Sequence, residues 1–172
     1  MLLSVITHTP VWVWGLLIGL IAFGLVQCLP RRVGPVRASA VPLVLAAWSF
    51  AGVLSRPSHA DLALAAWAIC ALAVFAAIQR RAAPAGSRWV ADQAQFEIPG
   101  SAVPLAAMMG LFAARYFGGA SQAIAPALAG QTAFIVATAA VYGSFAGLFV
   151  GRAARLWRLA GAHSKPGNIA AA

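Results

Sequence analysis

Carboxylates are almost missing from this chain. Asp61, Asp92 and Glu97 are the three acidic residues among 172, and none falls at membrane depth in an apolar run. Paired carboxylates for general acid–base chemistry are therefore absent. So is the intramembrane carboxylate relay that proton-coupled carriers and pumps use. Lysine is also scarce, with Lys165 alone against eleven arginines. Cysteine is limited to Cys28 and Cys70, which form neither metal-ligand spacing nor a redox pair and read as small buried hydrophobes. At 9% charged residues the chain cannot clothe a soluble domain, which needs about a quarter of its residues charged. No His-Glu-x-x-His, Walker or nucleophile-elbow sequence is present. Gly143-Ser144-Phe145-Ala146-Gly147 lacks the elbow spacing, so Ser144 reads as a packing hydroxyl, and no catalytic residue is assigned.

What remains is apolar. Hydrophobic residues make up 62% of the chain and the mean hydropathy is +0.86. Five runs emerge at about 10–29, 39–54, 60–79, 101–117 and 131–158. They predict an all-α polytopic membrane protein, with five transmembrane helices in one domain over 1–163 and a disordered tail at 164–172. Met1–Thr9 carries no Lys or Arg, so it lacks the basic region of a secretory signal, and the first run reads as a retained helix. Thr9 is a candidate cap before Pro10, and Ser39 and Ser101 stand in the same relation to Pro42 and Pro104. The stretch 30–38 reads as a loop. Between the third and fourth runs, Asp92-Gln93-Ala94 is a candidate hairpin turn between two short apolar-containing strands, although a plain loop fits as well.

The arginines lie between the runs. With the N-terminus outside, the inner segments hold Arg31, Arg32, Arg37, Arg80, Arg81, Arg88, Arg152, Arg155, Arg158 and Lys165, leaving Arg56 and Arg115 toward the outside. That asymmetry predicts N-out/C-in. It also assigns the net charge of +9 to topology and anionic lipid on the cytoplasmic side rather than to nucleic acid.

Small residues recur every four positions in the fifth run as Ala139, Gly143, Gly147 and Gly151, and in the fourth as Ala102, Ala106, Gly110, Ala114 and Gly118. The expectation is a close antiparallel pairing of these two helices, or a homodimer through the same stripe. Arg152, Arg155, Trp157 and Arg158 read as a lipid anchor at the cytoplasmic end. At the opposite face His8, His59, Asp61, Arg115 and Tyr116 form a candidate binding cluster. Each has a structural explanation: Asp61 completes a capping box with Ser58, Arg115 snorkels from near a helix end, and Tyr116 joins an aromatic belt. Taken together they offer an Arg115–Asp61 ion pair, or a metal or haem iron between His8 and His59. No metal site or cofactor is assigned.

Three blocks carry a resemblance: His8-Thr9-Pro10-Val11-Trp12-Val13-Trp14; Ile98-Pro99-Gly100-Ser101 with Pro104-Leu105 and Arg115-Tyr116; and Tyr142-Gly143 with Gly147-Leu148-Phe149 and the Arg152–Arg158 segment. The chain resembles a family of small, uncharacterised inner-membrane proteins of Gram-negative bacteria. That implies a location and a fold, and no activity. The expectation is a multi-pass inner-membrane accessory or interaction component, assembling through its small-residue stripes as a homo-oligomer or within a larger complex. The alternative is a small-molecule, metal or haem binding or permeation protein, with its site around His8, His59, Asp61 and Arg115.

Overall fold

The structure is a computed structural model that describes residues 9–54, 60–81 and 86–163. Its main elements are five helices: α1 (Val11–Gln27), α2 (Pro35–Leu54), α3 (Ala60–Gln79), α4 (Val103–Ile124) and α5 (Thr132–His163). Three short strands, β1 (Arg31–Val33), β2 (Arg88–Val90) and β3 (Gln95–Ile98), form an antiparallel sheet in the order β1-β3-β2. Among the described residues there are five such helices, one for each apolar run. The sheet departs from a purely helical fold, since β1 arises from the stretch read as a loop. A 3-10 turn at Ala91–Gln93 and a left-handed Ala94 (φ 47°) close the hairpin between β2 and β3.

Several helix ends differ from the sequence expectation because serines and glycines behave differently in context. Pro10 rather than Thr9 occupies the cap of α1. Helix α2 begins at Pro35, and the Ser39 hydroxyl donates back to the Pro35 carbonyl at 3.0 Å instead of capping. Helix α4 runs through Gly118 and Gly119 to Ile124, because glycine only weakens a helix that packing sustains.

Helices α2 to α5 are each long and apolar enough to cross a membrane, while α1, with 17 residues, is apolar but shorter. The distribution of exposure suits lipid. Helix α3 has a mean hydropathy of 2.2, the highest of the four, yet Ala63 is its one buried residue. Trp12, Ile18, Ile69 and Leu72 are largely exposed. Such apolar surface is far beyond what a water-facing monomer presents.

Helix α5 is the axis of the bundle and packs on α3, α2 and α4, while α1 lies against α4. The expected α4–α5 pairing through both stripes is corrected here. The glycines of α5 face α3: the place of a Gly143 Cβ is filled by the Trp67 backbone, that of Gly147 by the Ala71 backbone, and that of Gly151 by the Ile78 side chain. Any side chain at 143 or 147 would collide with main chain, so these residues set the α3–α5 distance. Helix α4 meets α5 differently. The Phe145 ring lies over Gly110, and Ala114 packs on the edge of the core.

A buried polar knot ties three helices together. The Ser49 hydroxyl (α2) is 1% exposed and donates to the Tyr142 carbonyl (α5) at 2.8 Å, while the Trp67 indole N–H (α3) donates to Ser49 at 3.0 Å. At the other end Phe96 of β3, fully buried, packs with Ala38, Ala160, Trp89 and Leu156. The sheet thus docks on the first turn of α2 and the last turns of α5.

Candidate functional site: an apolar cavity beside Arg115

Because α4 continues to Ile124, Arg115 lies twelve residues from its first residue and nine before its last. At 1.5 Å per residue it is about 14 Å along α4 from the nearer end. This corrects its expected position at a helix end. The guanidinium turns onto α2 instead. It donates to the Trp48 carbonyl at 2.5 Å and stands 5.1 Å from the ring centroids of both Trp48 and Tyr142. Gly52, one turn beyond Trp48, makes the space, since the guanidinium occupies the position a Cβ would take. A carbonyl and two ring faces hold a guanidinium well without cancelling its charge.

The Arg115–Asp61 ion pair does not form. Asp61 is exposed in the first turn of α3, and α3 packs on α5 and α2 whereas α4 packs on α1 and α5. His8 and His59 lie outside the described residues. Among the described residues no three His, Cys, Asp or Glu side chains gather as metal ligands would. Of the candidate cluster, therefore, Arg115 and Tyr116 share one site and Asp61 does not join them.

That site is a cavity of about 690 Å³ between α1, α2 and α4. Its wall is apolar, with Val13, Leu16, Leu45, Leu111 and Phe112 prominent. Its polar groups are Arg115 and the hydroxyl pair Thr9–Tyr116, whose oxygens are 2.8 Å apart. Tyr116 also stacks on Phe112 at 6.1 Å between centroids, so its hydroxyl is held at the start of α1. No carboxylate is among the described residues lining the cavity. A mostly apolar wall with a few convergent polar groups, in this size range, is the ordinary form of a small-molecule site.

The four residues read as an anchor are divided by the structure. Arg152 is half-buried and Arg155 is 8% exposed, both facing the bundle, whereas Trp157 and Arg158 are exposed. The Trp157 indole donates to Ser39 at 2.7 Å and sits edge-on to Phe96, and Arg158 donates to the Gln79 carbonyl at 3.0 Å, at the end of α3. On the sheet, Glu97 of β3 faces Arg32 across one strand pair and Arg88 across the other, and pairs with both. Arg88 first, then Arg32, holds the Glu97 carboxyl below the ordinary carboxylate range.

Sequence reasoning missed Trp48, Gly52, Tyr142 and Ser49. Nothing in their spacing ties them to Arg115, because they sit on α2 and α5 and meet it only through packing. No curated protein and no solved structure matches the chain. A match over residues 1–166 does place it: the chain belongs to the family of unknown function DUF6622.

Proposed function

We propose that this is a multi-pass bacterial inner-membrane protein, oriented N-out/C-in, that binds an amphipathic molecule with an acidic head in the cavity beside Arg115. The observation that carries the reading is a permanently charged guanidinium on an apolar wall that holds no carboxylate. In a low-dielectric site a guanidinium favours an incoming anion, and the apolar wall suits a hydrocarbon body. The Thr9–Tyr116 pair supplies a second hydrogen-bonding point for the head. The placement of the arginines between the apolar runs supports the orientation.

The test is to titrate purified protein in detergent with oleate and with oleyl alcohol, following binding by native mass spectrometry. Oleate should be preferred, and Arg115→Gln should lower its binding roughly tenfold while leaving the alcohol unchanged. Equal binding of both amphiphiles, unaffected by the substitution, would sink the reading.

A second reading, assembly with a like copy, rests on one observation. Gly15 and Gly19 of α1 form an exposed small-residue pair with nothing within 4 Å of either Cβ position. The α5 stripe no longer serves this reading, since α3 occupies it. Cross-linked dimers that persist in Gly19→Leu would remove it.

A further inference from the structure

Five arginines, Arg31, Arg32, Arg37, Arg152 and Arg155, line a second cavity of about 440 Å³ at the sheet end of the bundle. They come from β1, the first turn of α2 and the late part of α5, so the cluster exists only because the three elements meet. No carboxylate is among the described lining residues. Glu97 stands nearby on β3 and meets the charge of Arg32 as well as that of Arg88, so the charges that gather without it are those of Arg31, Arg37, Arg152 and Arg155. Arg152 lies close enough to Arg155 and Arg31 to feel their charges. Like charges gathered at a partly buried site repel one another, and an anion between them relieves that cost.

Behind the arginines the wall changes character. Val41, Leu45, Met108 and Phe149 form an apolar floor. Leu45 lies eight residues deeper along α2 than Arg37, about 12 Å toward the middle of the bundle. Helices α2 and α4 both begin at this end, so the positive ends of two helix dipoles face the same space. A planar guanidinium matches a phosphate bidentately, and several around one opening make a strong phosphate cradle. A free phosphate would gain nothing from the apolar floor, whereas a lipid would gain from both parts.

We propose that this cavity binds the phosphate of an anionic membrane phospholipid, with the upper part of its acyl chains against Val41, Leu45 and Phe149. This rests on the membrane placement proposed above and not on ligand binding beside Arg115, although Leu45 and Met108 line both cavities. The site differs from a surface anchor because it selects a headgroup within a cavity formed by three elements, and Arg158 is not among the residues that line it.

The experiment is native mass spectrometry of the full-length protein in detergent, titrated separately with short-chain phosphatidylglycerol, short-chain phosphatidylcholine and inorganic phosphate. Phosphatidylglycerol should be retained with a roughly fivefold preference over phosphatidylcholine, and inorganic phosphate should bind far more weakly than either lipid. The double variant Arg31→Gln/Arg152→Gln should erase the preference. Arg37→Gln, at an exposed position, should reduce it if the double variant proves unstable. Arg158→Gln and Arg115→Gln should leave it unchanged. Equal retention of the two lipids overturns the proposal. An equal loss in Arg158→Gln does so too, by making the effect one of diffuse charge. Inorganic phosphate bound as tightly as the phospholipid overturns the lipid occupant in favour of a soluble one.

Discussion

The Arg115 guanidinium donates to the main-chain carbonyl of Trp48 and lies over the indole ring of that same residue, 5.1 Å from its centroid. One residue of α2 thus presents both a dipole and a π face to a cation on α4. The Tyr142 ring, on α5, offers a third contact at the same distance. Three helices are joined through this one guanidinium.

The contact predicts that Arg115→Lys is not conservative. An ammonium keeps the charge but cannot lie flat between two rings while reaching the carbonyl. The lysine variant should lose about 1 kcal/mol of stability, in the range of a cation–π contact. Thermal unfolding in detergent checks this, and an unchanged midpoint would mean that the rings contribute nothing.

The Gly143 and Gly147 contacts predict that a larger residue at either position forces α3 away from α5. Gly147→Leu should cost about 3 kcal/mol or more, the upper range for overpacking, because the obstructing atoms are backbone rather than a movable side chain. Gly19→Leu, facing open space, should cost far less. Chemical or thermal denaturation of the two variants side by side decides it.

Ser49 predicts a loss out of proportion to its size. Ser49→Ala leaves the Tyr142 carbonyl without this donor and the Trp67 indole without this acceptor in the middle of the bundle. An orphaned buried polar group costs about 1–3 kcal/mol, so a single oxygen atom should matter more than most core methylenes on α3. Comparing Ser49→Ala with Ile78→Val, which removes one methylene where α3 packs on Gly151, tests the ordering by thermal unfolding.

Glu97 predicts acid sensitivity at the sheet end. Its carboxyl is held below the ordinary range by Arg88 and Arg32, so its contribution is present above the unfolded value of about 4.3 and is lost as pH falls through the lower folded value. Hydrogen exchange at Gln95–Ile98 should quicken as pH drops from about 5 toward 3, beyond the intrinsic pH trend of exchange. Glu97→Gln should show fast exchange already at neutral pH and no such transition.

The orientation predicts a labelling pattern. In a variant lacking Cys28 and Cys70, Asp92→Cys should react with an impermeant thiol reagent only after the membrane is opened, and Ala125→Cys should react in intact cells. The reverse pattern would invert the topology.

The sequence by itself determined the class of molecule. A chain with so few carboxylates and so many uninterrupted apolar residues forms long apolar helices, four of them long enough to cross a membrane, and their number follows from the apolar runs. The third helix was legible to the residue at 60–79 because Ser58 and Asp61 mark its start and Arg80 its end. The end of α4 was not. Gly118 and Gly119 look like a stop locally, and helix continuity there depends on contacts with the rest of the bundle.

Only the tertiary structure decided which surfaces meet. A glycine stripe shows that a helix permits close approach but does not name the partner, and α3 took the place expected for α4. The register of Glu97 between Arg32 and Arg88 joins residues 65 and 9 positions apart in sequence, and no local pattern in 30–38 announced a strand. The same holds for the site. Arg115 stood out as a charge within an apolar run, but its depth, its aromatic partners and the cavity beside it depend on how α1, α2, α4 and α5 pack. Composition fixes the solvent a chain must live in, whereas the geometry of a binding site is a property of helices that are distant in sequence and adjacent in space.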